Sequence, residues 1–329
     1  MATLLALLSA FRTALTLLLA AGSAAAAVAA QGGRMSSRLD ILAHFAPFWL
    51  LGGIVALVLA LLAPRGGLRG LTIALGLVAT LAAGALIVPE LTRPISKAPA
   101  DAPRQLKLIQ FNVWGRNQDP QRTVDWILAQ QPDLVVMEEL QPRVADLLRR
   151  QAKGYHLTCD PWGCTTSILS RARPVAVSVP FDGMPGAWAP TVRATFRDAD
   201  GQDFTVLGVH YTWPTHRGAQ RAQGLRLATI IDRFRNDATI VSGDFNSTPW
   251  SFSRRREDAR FGLERRTRAV FSWPAAPFTR YRLHLPFPFL PIDQVYAGAH
   301  WRTVSVTRGP RLGSDHYPVV VVLAPRAKD

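Results

Sequence analysis

Three long apolar stretches fill most of the first 90 residues, and they constrain the fold of this chain more than any other feature. They run over Thr13–Ala30, Ile41–Ala63 and Leu71–Val88. The first and third carry no charge, and only His44 and Pro47 interrupt the second. A helix needs roughly 20 apolar residues to cross the hydrocarbon core of a bilayer. The sequence therefore predicts three transmembrane helices, of which the Ala-rich first is the weakest candidate.

The charges around these stretches bear on their orientation. A cleaved signal peptide is the alternative for the first stretch, although residues 1–10 lack a positive n-region. The basic hairpin at 64–69 favours a cytoplasmic loop between the second and third spans. That loop would put the N-terminus inside and everything after Val88 outside. Basic residues in the first loop and after the third span oppose this orientation. The distribution of basic residues therefore supports it only weakly.

The two cysteines, Cys159 and Cys164, stand five residues apart around a turn-like Asp-Pro-Trp-Gly segment. Such a turn could bring them within disulfide reach, and disulfides persist in oxidising compartments. Two reduced thiols in a loop are the alternative, and the pair lacks the partners of a zinc site. With the orientation above, the pair favours a multi-pass protein of the inner (cell) membrane with an extracytoplasmic or periplasmic domain.

The chain is strongly basic, with a net charge of +15 over its 329 residues. Residues 1–100 hold seven Lys or Arg against two acidic residues, so the rest of the chain carries +10. Such a surface favours polyanions such as nucleic acid or acidic lipid head groups, although solubility is the more common reason for surface charge. The clusters at Arg254–Arg256 and Arg265–Arg266 are expected to be exposed.

Residues 89–104 are rich in proline and predict an extended linker between an anchor over 1–88 and a globular domain over 105–325. Strand-like and helix-like segments alternate in that domain, which indicates an α+β or layered α/β/β/α fold. The expected helices are 122–130, 143–151 and 220–234. The expected strands are 106–113, 133–137, 167–169, 175–179, 191–196, 204–209, 239–241, 294–296, 303–307 and 319–323.

The segment Ser242-Gly243-Asp244-Phe245-Asn246 follows the apolar run Ala238–Val241. Because strand side chains alternate, Asp244 and Asn246 are expected to point to the same side. A carboxylate beside a carboxamide can activate water and hold an oxyanion. An Asx-rich turn after a buried strand is the alternative explanation of the same residues.

Other polar residues also stand at the ends of apolar runs, spread over the whole domain. Polar groups that repeatedly emerge from apolar strands make one pocket at the edge of a sandwich if they converge. These residues are Asn112, Glu139, His210, Asp293, Asp315 and His316.

Six motifs occur in the order in which the endonuclease/exonuclease/phosphatase superfamily, the DNase I-like proteins, carries them. They are Phe111-Asn112, Val136-Met137-Glu138-Glu139, Val209-His210, Ser242–Asn246, Ile292-Asp293 and Gly313–Pro318. The chain resembles this superfamily over about residues 105–325, and Ser247–Ser251 is similar to its membrane-anchored bacterial members. The resemblance implies a four-layered α/β/β/α sandwich, here preceded by three transmembrane helices, and divalent-metal-dependent phosphoester hydrolysis.

The resemblance also implies a metal site. Glu139 would be the main Mg²⁺ ligand with Asn112 and Asp315 nearby, and Mn²⁺ is a possible substitute because both ions prefer hard oxygen ligands. Glu138 stands where the family usually has Gln. Surface salt bridges are the alternative reading of Glu138 and Glu139.

The implied catalytic groups follow the same motifs. His316 would hydrogen-bond the scissile phosphate, and Asp293 would fix the tautomer of His316. Asp244 would orient or deprotonate the attacking water, and Asn246 would bind a phosphate oxygen. Whether Asp244 or His316 is the general base stays open.

His210 is similar to a second histidine of the DNase I and sphingomyelinase branches, where it would be a general acid or phosphate ligand. Ser170-Arg171 resembles a family element beside the site, although strand-edge packing explains it equally well. Gln294 departs from the His or Tyr that often follows Ile-Asp, which weakens any assignment to a subfamily. The remaining histidines match no motif and are interpreted as structural.

Two functional hypotheses follow. The first is a membrane-anchored phosphoesterase that acts on nucleic acid, a phospholipid head group or a small phosphate ester. The alternative is a catalytically inactive sensor or scaffold that binds phosphate ligands at the lipid bilayer. Within the spans only His44 is ionisable, so they are expected to anchor the protein and not to conduct a solute.

Overall fold

The computed structural model describes residues 2–64, 66–159, 164–178, 191–198, 200–234, 237–275 and 287–326. The chain divides into two compact units. Unit 1 comprises Met1–Arg93 together with Trp250–Arg255, and unit 2 comprises Pro94–Pro249 together with Arg256–Asp329.

Unit 1 is helical because its residues are apolar almost throughout. Its helices are α1 (Ala2–Gln31), α2 (Ser37–Ala43), α3 (Ala46–Leu62) and α4 (Gly67–Thr92), with a short 3₁₀ helix at Gly32–Arg34. Two segments are long and apolar enough to cross a membrane, Ala6–Arg34 and Gly67–Thr92. A third crossing exists only if α2 and α3, which meet at a bend of 57°, form one span.

The second predicted span, 41–63, is therefore not one continuous helix. The break falls at His44 and Phe45, between α2 and α3. Pro47 stands in the first turn of α3. Proline has no backbone N–H and is tolerated at a helix start but not in a helix interior, so it favours a new start over a continued helix. The basic hairpin used for orientation includes Arg65, which lies outside the described residues.

The linker predicted over 89–104 begins later than expected, because α4 includes Pro89 and runs to Thr92. The part of that segment in unit 2 forms hydrogen bonds with other residues of the unit. The backbone N–H of Ser96 donates to Glu264 Oε1 at 2.6 Å, and that of Ala98 donates to the carbonyl of Thr303 at 2.9 Å.

Unit 1 also buries one carboxylate whose partners are backbone groups. Asp40, in α2, is 3% exposed. Its two oxygens accept the backbone N–H groups of Phe252 and Ser253, each at 2.7 Å. These residues begin helix α8 (Phe252–Phe261), whose first N–H groups have no partner within the helix.

The described part of unit 2 contains the remaining helices and twelve strands. The helices are α5 (Pro120–Ala129), α6 (Pro142–Gln151) and α7 (Arg217–Arg233), followed by the end of α8. The strands are β1 (Leu106–Asn112), β2 (Leu134–Glu138), β3 (His156–Cys159), β4 (Thr166–Ser170), β5 (Ala176–Ser178), β6 (Thr191–Arg197), β7 (Asp203–His210), β8 (Ile240–Asp244), β9 (Glu264–Arg265), β10 (Asp293–Ala297), β11 (Trp301–Arg308) and β12 (Val319–Pro325).

The strands form two six-stranded mixed sheets, ordered β11-β12-β1-β2-β4-β3 and β5-β6-β7-β8-β10-β9. Each sheet has one parallel pair near its centre, β1 with β2 and β7 with β8. Because parallel neighbours need a crossover, α5 links the first pair and α7 the second. Both parallel pairs therefore end, at their carboxyl termini, with Asn112, Glu138, His210 and Asp244.

Strand alternation builds three apolar layers. One buried cluster joins inward residues of both sheets, such as Leu108, Val136, Val206 and Ile240. A second joins outward residues of the first sheet to α5 and α6, and a third joins outward residues of the second sheet to α7 and α8. The predicted four-layered α/β/β/α sandwich is confirmed.

Two predictions about side chains need comment. The arginine clusters are exposed only in part: Arg256 is exposed as expected and Arg255 is half-buried, whereas Arg254, Arg265 and Arg266 are buried. Arg266 forms an ion pair with Glu264 at 3.0 Å and donates to the carbonyls of Ala297 and Gly298, so its buried guanidinium has both a counter-charge and hydrogen-bond acceptors. Cys159 and Cys164 form a disulfide, with Cα atoms 4.5 Å apart, although the residues between them lie outside the described chain.

Candidate active site

The polar residues predicted from the sequence lie at one end of the inter-sheet layer. On β1 every second side chain points towards the inter-sheet layer, first Leu108, then Gln110 and then Asn112. On β7 the same period of two leads from Val206 to His210. In the same way Ile240 is followed by Ser242 and then Asp244 on β8. Register places Asp244 opposite both His210 and Asp293. Period-two alternation thus carries polar groups from both sheets into one place.

Asp244 lies at the centre of this cluster and is 1% exposed. Its Oδ2 accepts Asn112 Nδ2 at 3.1 Å and Asn246 Nδ2 at 3.3 Å, and its Oδ1 accepts the backbone N–H of Asn246 at 2.8 Å. The Nε2 atoms of His210 and His316 both lie 3.7 Å from Asp244 Oδ2. One carboxylate therefore stands between two histidines and two amides.

Asn246 reaches the cluster by a turn and not by continuation of the strand, because β8 ends at Asp244. Its φ of 48° lies in the left-handed region, where asparagine is tolerated better than most residues. Its Nδ2 also donates to the carbonyl of Tyr211 at 2.8 Å. Both hypotheses about this segment thus apply at once, since an Asx turn presents the carboxylate and the carboxamide to the same site.

A buried hydrogen-bonded chain extends behind His316. His316 Nδ1 lies 2.8 Å from Asp293 Oδ2. Gln110 Nε2 donates to Asp293 Oδ1 at 3.0 Å and to Glu138 Oε2 at 2.8 Å. Gln110 and Glu138 are fully buried and were not predicted as site residues. The available signal was a polar residue at an inward position of an otherwise apolar strand.

Glu139 is the open carboxylate of the site, with 37% of its side chain exposed. Its Oε2 accepts the backbone N–H of Gly115 at 3.1 Å, and its Oε1 accepts Asn112 Nδ2 at 3.2 Å. His210 Nε2 is 3.8 Å from Glu139 Oε1. Glu139 has a φ of 52° and Trp114 a φ of 60°. Non-glycine residues in this region cost about 1–3 kcal/mol each and concentrate at functional sites.

Asp315 precedes His316 and is half-buried. Trp273 Nε1 donates to its Oδ2 at 3.4 Å, and the backbone N–H of Ala275 donates to its carbonyl at 2.6 Å. Its other carboxylate oxygen, Oδ1, is buried and has no hydrogen-bond partner among the residues that the structure describes. An unpartnered buried carboxylate oxygen is costly unless a donor or a cation satisfies it.

Burial and neighbouring charges shift the pKa values of the titratable groups in different directions. Burial raises the pKa of Asp244 to about 7, and Asp293 adds to the rise while His316 opposes it. Burial lowers the pKa of His316, but the carboxylates of Asp293 and Asp244 outweigh burial and hold it well above its usual value. The two carboxylates thus favour the charged form of His316.

The other groups shift for the same physical reasons. Burial raises the pKa of Glu138 well above its usual value, and Asp293 and Asp244 raise it further. Burial also raises the pKa of Glu139, but His210 and two hydrogen bonds outweigh burial and leave it lowered. Burial lowers the pKa of His210 and raises that of Asp315. Among Glu138, Glu139, Asp244 and Asp315, only Glu139 therefore has its pKa lowered.

The donor set fits a divalent cation. Within the described residues, Asp244, Asp293 and His316 form a group whose ligand atoms lie within 4.8 Å of one another, but the charged form of His316 that its neighbours favour has no lone pair for a cation. The open carboxylate of Glu139 and the unpartnered Oδ1 of Asp315 are hard oxygen donors of the kind that Mg²⁺ and Mn²⁺ prefer. Asn112 turns its amide nitrogen towards the carboxylates, while its Oδ1 accepts the backbone N–H of Trp114 at 3.0 Å. That oxygen has a second lone pair for a cation.

The geometry brings seven of the eight predicted residues into direct contact with one another. Asp315 is next to His316 in the sequence, and the negative charge of Glu139 contributes to raising the pKa of Asp315. Gln294, the predicted departure from the family pattern, lies outside the cluster and donates to the carbonyl of Ser247 at 2.8 Å. Sequence reasoning missed Gln110, Gly115 and Trp273.

A sandwich of two mixed sheets, with acids, amides and histidines at the strand ends, is the architecture of a class of phosphoester hydrolases. The chain belongs to the endonuclease/exonuclease/phosphatase family, whose sequence profile matches residues 109–316. Members of this family hydrolyse phosphoesters and generally depend on a divalent metal. None of the curated proteins matches the chain by sequence.

Solved structures share the fold at low sequence identity. An endonuclease/exonuclease/phosphatase from Bacteroides vulgatus is 18% identical, with a TM-score of 0.53, over 68% of this chain and 99% of that chain. D. rerio TDP2 complexed with a single-strand DNA product is 18% identical, with a TM-score of 0.53, over 67% and 99%. A Bacteroides thetaiotaomicron mannosyl-6-phosphatase is 16% identical, with a TM-score of 0.53, over 67% and 99%. These likenesses concern the fold alone.

Proposed function

We propose that this protein is a membrane-anchored, divalent-metal-dependent phosphoesterase. Residues 105–325 would form the catalytic domain, residues 1–88 the anchor and residues 89–104 the linker. The observation that carries the proposal is the position of Asp244, whose Oδ2 lies 3.7 Å from the Nε2 atoms of both His210 and His316. A carboxylate held between two histidines can take part in the proton transfers of a hydrolysis by general acid–base catalysis.

Asp244 is the proposed general base. His316 Nδ1 is bonded to Asp293, and its Nε2 faces Asp244, so carboxylates flank both ring nitrogens. Such flanking favours the charged imidazolium, which has no lone pair with which to accept a proton. Asp244, by contrast, is a carboxylate whose pKa burial raises to about 7, which suits a group that accepts a proton near neutral pH.

The remaining groups are proposed to act on the phosphate. Water attacks phosphorus in line, a new P–O bond forms, and the bond to the leaving oxygen breaks. His316 and Asn246 would hydrogen-bond the phosphoryl oxygens as their negative charge grows. His210, which is partly exposed, would bind a phosphate oxygen or, in its protonated form, donate a proton to the leaving oxygen. No covalent enzyme intermediate is required.

Glu139, Asp315 and Asn112 are the proposed ligands of a divalent cation, Mg²⁺ with Mn²⁺ as a substitute. Bound there, the cation would neutralise phosphoryl charge and act as a Lewis acid. The open carboxylate of Glu139 and the unpartnered Oδ1 of Asp315 support this assignment. The backbone N–H of Gly115 holds the Glu139 carboxylate in place.

The substrate class is proposed to be a phosphoester of nucleic acid, of a phospholipid head group or of a small molecule. The fold does not restrict the class further, because structures of the same fold include one with a DNA product and one named for a sugar phosphate. The alternative, an inactive phosphate-binding sensor or scaffold, is disfavoured because every proposed catalytic position carries a side chain able to transfer a proton or bind a phosphate.

The catalytic domain is proposed to lie outside the cytoplasm, in the periplasm of a cell with an inner membrane. Two observations support this location. Unit 1 contains two segments, and up to three, with the length and hydropathy of a membrane span. Cys159 and Cys164 are bonded, and protein disulfides persist chiefly in oxidising compartments.

A phosphoester panel on the full-length protein in detergent tests the proposed activity. We expect hydrolysis with Mg²⁺ or Mn²⁺, loss of hydrolysis in EDTA, and a loss of about 10²-fold or more in Glu139→Gln. Asp146→Asn is the matched control, because Asp146 is an exposed carboxylate that pairs with Arg149 on α6. Equal rates for Glu139→Gln and the wild-type protein would refute the metal-site assignment.

A further inference from the structure

Three aromatic side chains form a connected surface next to the candidate active site, which we call the aromatic wall. It consists of Trp213, Trp273 and Phe289. The ring centroids of Trp213 and Trp273 are 6.1 Å apart at an interplanar angle of 87°, and those of Trp273 and Phe289 are 5.7 Å apart at 68°. Because both contacts are edge-to-face, the rings do not stack on one another, and the outer ring keeps flat surface available.

The wall is fixed to catalytic elements at both ends. Trp273 Nε1 donates to Asp315 Oδ2 at 3.4 Å, one residue from His316. Trp213 lies three residues after His210, on the loop that starts with Tyr211. The backbone of Tyr211 bonds to both motif residues, since its N–H donates to the carbonyl of Asp244 and its carbonyl accepts Asn246 Nδ2. The wall therefore cannot move far from the phosphate-binding groups.

The side chain of Trp213 lies outside the buried core of unit 2. Trp213 is 55% exposed, whereas Trp250, Tyr211 and Tyr296 are among the largest fully buried side chains of the described chain. An indole that is more than half exposed leaves apolar surface without the benefit of burial. A ligand that covers this face would recover that benefit.

The surroundings of Trp213 indicate the kind of ligand. Apart from Pro214, the residues next to Trp213 in the loop are polar: Thr212 is half-buried, Thr215 and His216 are exposed, and Thr212 Oγ1 lies 3.5 Å from His216 Nδ1. Arg217 follows at the start of α7. A flat aromatic face with hydrogen-bonding and cationic neighbours suits a planar, polar ring attached to a phosphate. An acyl chain would instead gain most from aliphatic neighbours.

We infer that Trp213 is a stacking subsite for a nucleobase, and that the preferred substrates of the proposed phosphoesterase are esters of nucleotides with an unpaired base. This inference rests on the proposed function and extends it to a substrate class. Base–aromatic stacking tolerates any base sequence and changes binding by about 5- to 150-fold per base. Trp273 and Phe289 act as positioning residues that hold Trp213 upright beside the site.

The test compares two esters that differ only in the base. One is the p-nitrophenyl ester of thymidine 5′-phosphate, and the other is the same ester of an abasic deoxyribose 5-phosphate. With the full-length protein in detergent, kcat/KM should favour the thymidine ester by about tenfold or more. Trp213→Ala should abolish that preference and leave the abasic ester unchanged, while Trp213→Phe should keep most of it. Leu225→Ala, an exposed apolar position on α7, is the matched control.

The other outcomes separate the inference from the activity beneath it. Hydrolysis of both esters at equal kcat/KM overturns the nucleobase subsite and leaves the proposed phosphoesterase intact. A second outcome also overturns the nucleobase subsite. The enzyme would prefer p-nitrophenyl octyl phosphate to its ethyl analogue, and Trp213→Ala would remove that preference. Trp213 would then bind a lipid-like substrate. If no ester is hydrolysed, the proposed function fails. Calorimetric titration then decides the subsite, because thymidine 5′-phosphate should bind more tightly than deoxyribose 5-phosphate only when Trp213 is present.

Discussion

Glu138 is a buried acid whose surroundings oppose its ionisation. It is fully buried, its Oε2 accepts Gln110 Nε2 at 2.8 Å, and its Oε1 has no hydrogen-bond partner. The residue stands where the family usually has glutamine, and a neutral acid resembles that amide in shape and hydrogen bonding. Its neighbour Glu139, one position on, faces the opening of the site and is readily ionised. Adjacent glutamates thus have opposite electrostatic roles.

Glu138→Gln should therefore change how stability depends on pH. Burial raises the pKa of Glu138 above its ordinary value of 4.5, so the folded state binds a proton that the unfolded state has lost. Stability falls as pH rises above about 4.5, by up to about 1.4 kcal/mol per pH unit until the folded pKa is reached. The glutamine variant lacks this penalty, so its advantage over wild type should grow from pH 5 to pH 8.

Urea unfolding followed by tryptophan fluorescence at pH 5, 6.5 and 8 measures this difference. Asp146→Asn, which alters an exposed carboxylate, should track the wild-type protein at every pH. A difference between Glu138→Gln and wild type that stays constant over the three pH values would contradict the account.

At the scale of elements, the site depends on how closely β7 and β8 approach. Val209 and Gly243 are register partners in the parallel pair, and each is followed by a site residue, His210 and Asp244. A Cβ on Gly243 would overlap the backbone carbonyl of Val209. The glycine of the Ser-Gly-Asp-Phe-Asn segment is therefore required by packing between the two strands.

Gly243→Ala and Ser242→Ala make a matched pair on β8. The alanine at 243 collides with backbone, which cannot rotate away, so we expect a loss of about 1–3 kcal/mol in stability together with reduced activity. The hydroxyl of Ser242 is buried without a hydrogen-bond partner, so its removal should leave stability unchanged or raised. Thermal unfolding checks both, and equal unfolding temperatures for the two variants would rule out the packing explanation.

The same elements show how far the sequence could predict this structure. Alternation and strand-end polarity located Asn112, His210, Asp244 and Asp293, because these signals are local and each strand has one inward face. Local signals did not find β3, β9 or α8, which depend on pairing or packing with distant residues. They also assigned Arg266 to the surface, since its carbonyl partners at Ala297 and Gly298 are about thirty residues away in sequence.

At the scale of the whole molecule, the number of membrane crossings decides where the catalytic unit works. Three crossings put the N-terminus and unit 2 on opposite sides, whereas two put them on the same side. The bend of 57° between α2 and α3 is the feature that separates these cases, and hydropathy of the sequence could not reveal it. The disulfide between Cys159 and Cys164 gives an independent indication of an oxidising compartment.

An alkaline phosphatase reporter fused after Asp329 reads the side of the membrane directly, because it is active only outside the cytoplasm. We expect an active reporter, together with Cys159 and Cys164 protected from maleimide until a reductant is added. The same reporter fused within the hairpin at 64–69 is the control and should be inactive. An inactive reporter after Asp329 would reverse the proposed topology.

The central claim is that Asp244 and His316 act together in one phosphoesterase site. The most direct measurement is kcat/KM for Mg²⁺-dependent hydrolysis of a phosphodiester by His316→Asn, Asp244→Asn and the double variant, each checked for folding by thermal unfolding. We predict a loss of about 10²-fold or more in each single variant. The double variant should be scarcely slower than the slower single one, because residues that act as a unit are not additive. Wild-type rates in either folded single variant would contradict the account.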